Sequence, residues 1–280
     1  MKPTIRSPLV RFYLWQGRRW MKLIRLIDGV NTGIWLGLLS RDHLEAVDEL
    51  HYHGSSTYNG EPHNLRGLMD WEEAALGEFF GGRTRLVVLG AGGGREVLAL
   101  ERRGFRVDGF ECNPALVEFA GGFLPRHGAA GTVRYLPRDT TPAEGRYDGI
   151  IMGWGSYMLI AGRARRIEQL RRLRALVPDG APLLLSFFTR PDVLVKLKAE
   201  YRVARIIRRL LRREPPEFGD DLIPMYAHRF DEAEIRAEMA EAGFRLARYE
   251  PEGRRQHDAG WAVGIAEPME SAPSASRPPP

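Results

Sequence analysis

The sequence predicts an α/β fold built on a doubly wound, mostly parallel sheet, and three observations carry that prediction. Leu86-Val87-Val88-Leu89 is a short apolar run of the kind that forms a strand buried on both faces. It breaks into Gly90-Ala91-Gly92-Gly93-Gly94, and Arg95 to Arg103, with Val97, Leu98 and Leu100 inside, reads as the helix that follows. A second run, Phe105 to Phe110, forms the next strand and delivers Glu111 at its C-terminal end, the edge at which open α/β sheets bind ligands. Glycine lets the strand-to-helix turn bend sharply and lets a ligand touch the backbone, because it has no Cβ and tolerates positive φ. The helix N-terminus then faces whatever is bound, and a carboxylate at Glu111 suits the two hydroxyls of a ribose. A nucleoside-containing ligand is the expectation.

The glycine spacing narrows the class of nucleoside. A dinucleotide fingerprint, G-x-G-x-x-G, counted from Gly90 puts its third glycine on Arg95. Gly90, Gly92 and Gly94 instead form G-x-G-x-G, and with Glu111 closing the next strand the chain resembles the class I S-adenosylmethionine (SAM)-dependent methyltransferases. The resemblance continues through Val133-Arg134-Tyr135-Leu136 and Asp139-Thr140, similar to that family's third strand and adenine-side loop, and Tyr147 to Met152, similar to its fourth strand. Gly162 to Leu176, the turn Val177-Pro178-Asp179-Gly180 and the run Leu183 to Phe188 resemble its helix, Pro-x-Gly turn and fifth strand. His228-Arg229-Phe230-Asp231 to Phe244, then Trp261 to Ala266, resemble the last helix and closing strands, so residues 81–190 and 228–266 are covered.

The resemblance implies a seven-stranded sheet with SAM as cofactor, held by Gly90, Gly92, Gly94, Glu111, Asn113, Asp139, Thr140 and Gly153. It also implies that the segment before the first strand folds over the cofactor, with Tyr58 and Arg66 suited to the methionine carboxylate, because an arginine fork matches a carboxylate. The alternative is that both residues only satisfy their own loop. Many members carry an acid two places before the first glycine; this chain has Val88 there, and Glu96 at the helix start is the candidate for a related role.

Methyl transfer from a sulfonium needs little covalent chemistry from the protein, and alignment of the acceptor with the S–CH₃ axis supplies much of the rate. A hydroxyl or protonated amine also needs a base. His63, His228 and Tyr157 are the candidates for catalysis, with His51, His53, Asp220 and Asp221 behind them, and the sequence singles out none. Gly153-Trp154-Gly155-Ser156-Tyr157 follows the fourth strand and borders the expected methyl position, where Trp154 or Tyr157 stacks on the acceptor or encloses the sulfonium; the competing reading packs Trp154 on the next helix.

Composition bounds the rest. A chain of 280 residues buries a sizeable core, and one large α/β domain with appendages is expected. The single Cys112 excludes an internal disulfide and a cysteine-cluster zinc site, and His51 and His53 alternate without a carboxylate at ligand spacing, so no metal is expected. The basic start never reaches an uninterrupted apolar core, and the cytoplasm is the expected compartment. The expected organisation is an N-terminal helical cap and cofactor-covering loop over 1–80, the cofactor domain over 81–266 with a helical lid inserted at 191–227, and a disordered tail over 267–280.

The net charge of +5 is unevenly distributed. Arg163, Arg165, Arg166, Arg171, Arg172 and Arg174 share a helix whose buried stripe is Ile167, Leu170, Leu173 and Leu176, so they read as a solvated face. Leu194, Leu197, Tyr201, Ala204, Ile207 and Leu211 recur at helical spacing among many cations, a basic amphipathic helix ended by Pro215-Pro216. It reads as a lid, with contact to a membrane surface or to RNA as alternatives. Phe12, Tyr13, Trp15, Trp20, Leu23 and Ile24 with Arg18, Arg19, Lys22 and Arg25 form another basic, aromatic helix, read as a packed cap. Cations around an apolar pocket favour an anionic, partly apolar acceptor. The expected function is therefore methylation, on oxygen by in-line transfer, of a small-molecule or lipid-linked metabolite. A non-catalytic SAM-fold binding protein, an RNA methyltransferase and a nucleotide-dependent oxidoreductase remain as alternatives.

Overall fold

The computed structural model describes residues 7–53, 57–253 and 259–268. In chain order these form α1 (Pro8–Leu38), α2 (Arg41–His53), α3 (Glu61–Asn64), α4 (Asp70–Phe79), β1 (Arg85–Leu89), α5 (Arg95–Glu101), β2 (Arg106–Glu111), α6 (Pro114–Arg126), β3 (Thr132–Tyr135) and β4 (Gly149–Met152). They continue with a 3₁₀ turn (Ser156–Leu159), α7 (Arg163–Arg174), β5 (Pro182–Thr189), α8 (Val195–Leu210), β6 (Asp220–Leu222), β7 (Tyr226–Phe230), α9 (Glu232–Glu241), β8 (Phe244–Glu250) and β9 (Gly260–Ala266). The chain divides into two compact units, Met1–Asp48 with Arg190–Arg229, and Glu49–Thr189 with Phe230–Pro280.

Seven strands of the second unit run in the order β3-β2-β1-β4-β5-β9-β8. The first five are parallel, and β9 is antiparallel to both β5 and β8. The apolar runs explain the parallel part, since Leu86, Val87, Val88 and Leu89 are all buried, and a strand covered on both faces needs no polar alternation. The order reverses between β1 and β4, so the crevice beyond their C-terminal ends is the place such sheets bind ligands. Val88, at the position where an acid would be an anchor, is fully buried in apolar surroundings.

The helix read as a solvated arginine face is corrected in two places. Arg166 has no exposed surface and Arg174 almost none. Arg166 meets Glu238 of α9, with Nη2 2.6 Å from Oε1, and Tyr157 donates its hydroxyl to the same carboxylate at 2.5 Å. Arg174 donates to the carbonyls of Val177 and Glu267 and pairs with Asp179, so it ties the helix to the turn and the chain end.

The first unit is organised by a glycine stripe. Gly29, Gly33 and Gly37 lie four apart on one face of α1, and a Cβ on each would stand 2.5 Å from Lys196 O, 2.7 Å from Glu200 O and 2.6 Å from Ile207 Cβ. Only glycine lets the two helices approach this closely. That contact explains why α1 and the 191–227 insertion share a unit, whereas residues 49–80, read from the sequence as part of one cap, belong with the sheet. His51 and His53 both lie in the last turn of α2, whose start has Ser40 Oγ accepting from the His43 N–H. Beyond Pro268 the tail lies outside the described residues.

The same packing encloses a carboxylate. Glu200 has no exposed surface, and its pKa is pushed up to about 8, first by burial and then by the nearby Asp221 charge, with Lys196 opposing from 3.2 Å. Lys196 also meets Asp221 at 2.9 Å and Asp28 at 3.5 Å, so it is shared among three acids. An acid whose folded pKa exceeds its ordinary 4.5 takes up a proton on folding. Its contribution to stability is complete below the unfolded value and is lost as pH rises from there to about 8. Urea midpoints should therefore fall between pH 6 and pH 8, and Glu200→Gln should flatten that slope; an unchanged slope would remove Glu200 from the account.

Candidate active site at the strand edge

Gly90, Gly92 and Gly94 all adopt positive φ (66°, 53° and 99°), so the turn between β1 and α5 is built from a conformation that side chains resist. The turn is also crowded from outside. A Cβ on Gly90 would stand 2.5 Å from Ser156 Cβ, and one on Gly93 2.6 Å from Tyr58 O and 2.8 Å from the Asn64 amide. A Cβ on Gly153 would stand 2.3 Å from Gly90 O, which ties the end of β4 to the first glycine, and the Gly153 N–H donates to Leu89 O at 2.7 Å.

Glu111 is where the sequence placed it, at the end of β2 and almost wholly buried. Its Oε2 accepts from the Gly92 N–H and its Oε1 from the Asn113 N–H, both at 2.9 Å. These bonds fix the carboxylate against the glycine turn and use about half of its roughly four lone-pair sites, leaving acceptors for a diol. Asn113 caps α6, its Oδ1 accepting from the Ala115 and Leu116 N–H groups.

Asp139 sits at φ 57°, one of two non-glycine residues with positive φ among those described, and backbone strain of this kind gathers at ligand sites. Its carboxylate lies 3.9 Å from Arg165 Nε. Thr140 turns inward on its own loop, its hydroxyl donating to Pro137 O at 2.5 Å and its carbonyl accepting from Gln169. Beyond β4, the Gly155 N–H donates to Ser186 Oγ at 2.8 Å, and Trp154 meets Phe188 edge to face at 6.2 Å. Ser156 Oγ is buried beside Gly90 with no hydrogen-bond partner. The hydroxyl is thus available to a water or to a polar ligand group at the glycine turn.

Arg95, Glu72, Asn64 and Ser156, to which the sequence assigned no role, hold this region together with Glu96. Arg95, which displaces the dinucleotide glycine, is buried and grips Glu72 of α4 in a two-pronged pair, both bonds 2.7 Å. It also donates to Glu96 at 2.5 Å and to Gly67 O at 2.8 Å. Burial works to lower the Arg95 pKa, but the charge of Glu96 and the bonds to Glu72 outweigh it and hold the pKa above its ordinary value. Glu96 Oε1 also accepts from the Trp154 N–H at 3.4 Å. Asn64 binds the carbonyls of Tyr58 and Gly60, both at 2.9 Å, and so shapes the segment lying on Gly93. Ser156 completes the four.

The remaining candidates are spread out. Tyr58 is half-buried between Tyr52 and His63, with ring centroids 5.1 Å from each, and burial raises its pKa. Arg66 is exposed. Tyr157 has no exposed surface, and burial with the neighbouring Glu238 charge drives its pKa well above the ordinary value, the opposite of what a base needs. His228 lies in the other unit, fully buried, its Nδ1 2.8 Å from Asp220 Oδ1, an oxygen that also accepts from Tyr226 at 2.7 Å. Burial raises the Asp220 pKa, and the His228 and Tyr226 bonds reverse this and leave it lowered.

The residues present fit SAM: a glycine turn crowded by Ser156, Tyr58 and Asn64, a fixed carboxylate at the end of β2, a hydroxyl on Ser156 beside Gly90 and the Asp139 loop at positive φ. No protein-family model and no curated protein matches the chain. Solved structures do. A SAM-dependent methyltransferase from Methanosarcina mazei is 16% identical, covering 72% of this chain and 99% of its own, with a TM-score of 0.56. The CcbJ methyltransferase of Streptomyces caelestis is 16% identical over 79% of this chain and 100% of its own, also at 0.56. The 1,6-didemethyltoxoflavin-N1-methyltransferase of Burkholderia thailandensis, with its acceptor and S-adenosylhomocysteine bound, is 16% identical over 82% and 92%, at 0.57. Strand order, glycine turn and these likenesses agree: the chain has the fold of the class I SAM-dependent methyltransferases.

Proposed function

We propose that this protein is a SAM-dependent methyltransferase acting on oxygen of a small-molecule or lipid-linked, anionic acceptor. The observation that carries the reading is the Glu111 carboxylate, held by the Gly92 and Asn113 N–H groups at the mouth of a glycine turn that side chains would close. Bound SAM would supply an activated methyl group. Glu111 would take the ribose hydroxyls, Gly90, Gly92, Gly94 and Gly153 would lie along the backbone-lined side, and Asp139 and Thr140 would border the adenine. Tyr58 and Arg66 would close the methionine end, as the tie between Asn64 and Tyr58 favours for the first of them. Ser156 offers a further polar contact at Gly90.

Trp154, braced by Phe188, is the aromatic wall for the acceptor. An anionic oxygen suits this site because no proton has to leave before transfer. Tyr157 and His228 are both buried and engaged by carboxylates, which leaves half-buried His63 as the candidate for a proton acceptor if the acceptor atom arrives protonated. The small-molecule class is favoured by the Burkholderia thailandensis neighbour, whose own name gives such an acceptor, a didemethyltoxoflavin.

Calorimetry should give SAM and S-adenosylhomocysteine binding far tighter than NAD. Glu111→Ala should weaken both by about 1.5–3 kcal/mol, the loss of charge-assisted hydrogen bonds, with the fold retained by circular dichroism. Unchanged affinity, or NAD binding alone, would overturn the reading. Incubating cell extract with radiolabelled methyl donor and identifying the product by mass would identify the acceptor.

A further inference from the structure

From Ser7 to Asp28 almost every described residue of the α1 region is exposed, and burial starts only at Gly29, where α8 begins. At 1.5 Å per residue the stretch Pro8–Asp28 is an arm about 31 Å long. The arm has two opposite stripes. Arg11, Arg18, Lys22 and Arg25 follow at steps of seven, four and three, and a further step of four reaches Gly29 and the stripe that packs on α8. Tyr13, Trp20, Ile24 and Ile27 follow at the same kind of step, and Ile34 and Leu38 carry that line to the end of the helix. At 3.6 residues per turn the second stripe lies across the helix from the first, so α8 covers the glycine face and leaves the apolar face open along all of α1. Its members are exposed large apolar side chains, Tyr13 at 69%, Trp20 at 58% and Ile27 at 61%.

Three features identify what covers that face. Between Ser7 and Ile27 there are five cations, with Arg19 beside the stripe, and no acid, so the partner carries negative charge. Three of the chain's six tryptophans, Trp15, Trp20 and Trp35, lie on this one helix, and tryptophan favours the boundary between hydrocarbon and water. No single helix among the described residues is long and apolar enough to cross a membrane; α1 and α2 meet that measure only as a pair bent by 113°. A helix with a broad apolar sector, a cationic stripe and interfacial aromatics lies in the plane of a bilayer, its cations at the level of the lipid phosphates.

We propose that α1 docks this protein on an anionic lipid bilayer, with the Tyr13, Trp20, Ile24 and Ile27 stripe inserted and Arg18, Lys22 and Arg25 at the phosphates. The inference does not depend on the methyltransferase reading. The sequence expectation is a packed cap for this helix and a lid, with membrane contact as an alternative, for the 193–213 helix; here the lipid-facing element is α1, and Lys196, Ala199, Glu200, Val203 and Ile207 of the later helix meet the glycine stripe or the residues beside it.

Vesicle flotation of the full chain tests it, with vesicles of phosphatidylglycerol and phosphatidylcholine in equal parts and vesicles of phosphatidylcholine alone. Binding to the mixed vesicles is expected, with a blue shift of tryptophan emission. Reversing three charges in Arg18→Glu, Lys22→Glu, Arg25→Glu should weaken it roughly a hundredfold. The pair Trp20→Glu, Ile24→Glu should abolish both binding and the shift. These sites are exposed, so the variants keep the fold, which unchanged circular dichroism and urea midpoint would verify. The proposal is overturned if wild type fails to float with mixed vesicles, or if Trp20→Glu, Ile24→Glu leaves flotation intact. It is equally overturned if that variant splits a lipid-free oligomer seen by sedimentation while wild type ignores vesicles, for then a second copy covers the face.

Discussion

Arg166→Met is expected to lower the unfolding free energy by about 3–5 kcal/mol, because it strands a carboxylate in a place water does not reach. Both Arg166 and Glu238 have no exposed surface. The guanidinium binds Glu238 through Nε at 3.0 Å and Nη2 at 2.6 Å, stands 5.0 Å from the Phe230 ring centroid and donates to Ile160 O at 3.3 Å. Without it, Glu238 keeps only the Tyr157 hydroxyl, a neutral donor, against the full cost of a buried charge. The double replacement Arg166→Met, Glu238→Leu should recover most of the loss, since an apolar pair of similar volume needs no solvation. Urea unfolding followed by circular dichroism measures both. A loss under about 1 kcal/mol in the single variant would mean that the pair is solvated.

The cluster is also the clearest case of what the sequence did not disclose. Six arginines on one helix with an apolar stripe beside them satisfy the pattern of a solvated face, and nothing local separates Arg166 from Arg163 or Arg172. Its partner lies 72 residues away on α9, so the pairing exists only once the helices are assembled. Arg95 was legible as a departure from the dinucleotide pattern but not as a clamp, because Glu72 is 23 residues upstream. By contrast the strands and the glycine turn were readable, for their signals are local: continuous apolar runs, glycines at positive φ and an acid at a strand end. Glu111 came through for the same reason. Gly29, Gly33 and Gly37 stood in the sequence at steps of four, a pattern that permits close helix contact without naming the partner helix. The opposite apolar stripe was visible too. Whether it is covered is a property of the assembled unit, and so a packed cap and an open arm look alike in the sequence.

Arg95→Met should cost a comparable 3–5 kcal/mol and, unlike Arg166→Met, should also remove cofactor binding in the molecules that remain folded. Arg95 opens α5 directly after Gly94 and is almost fully buried with Glu72 and Glu96, two carboxylates against one guanidinium. Burial pushes the Glu72 pKa up, and the Arg95 bond and charge act against that rise, so removing the guanidinium lets burial prevail and favours proton uptake by Glu72. The same side chain holds Gly67 O and, through Glu72, the Met69 N–H at 2.6 Å, and these bonds tie the start of α4 to the glycine turn. Its loss loosens the segment that carries Asn64 and Tyr58 onto Gly93. Arg95→Lys should recover only part of the stability, since an ammonium cannot reproduce the fork that meets both Glu72 oxygens. Glu72→Gln with Arg95 intact should leave the turn in place and reduce stability by less, because Arg95 keeps Glu96 at 2.5 Å and the amide still accepts a hydrogen bond. The decisive comparison is S-adenosylhomocysteine affinity by calorimetry against urea midpoint across these variants. If Arg95→Met lowers stability while the folded fraction binds cofactor as wild type does, the clamp supports only the fold, and the placement of the Tyr58 segment over the glycine turn does not depend on it.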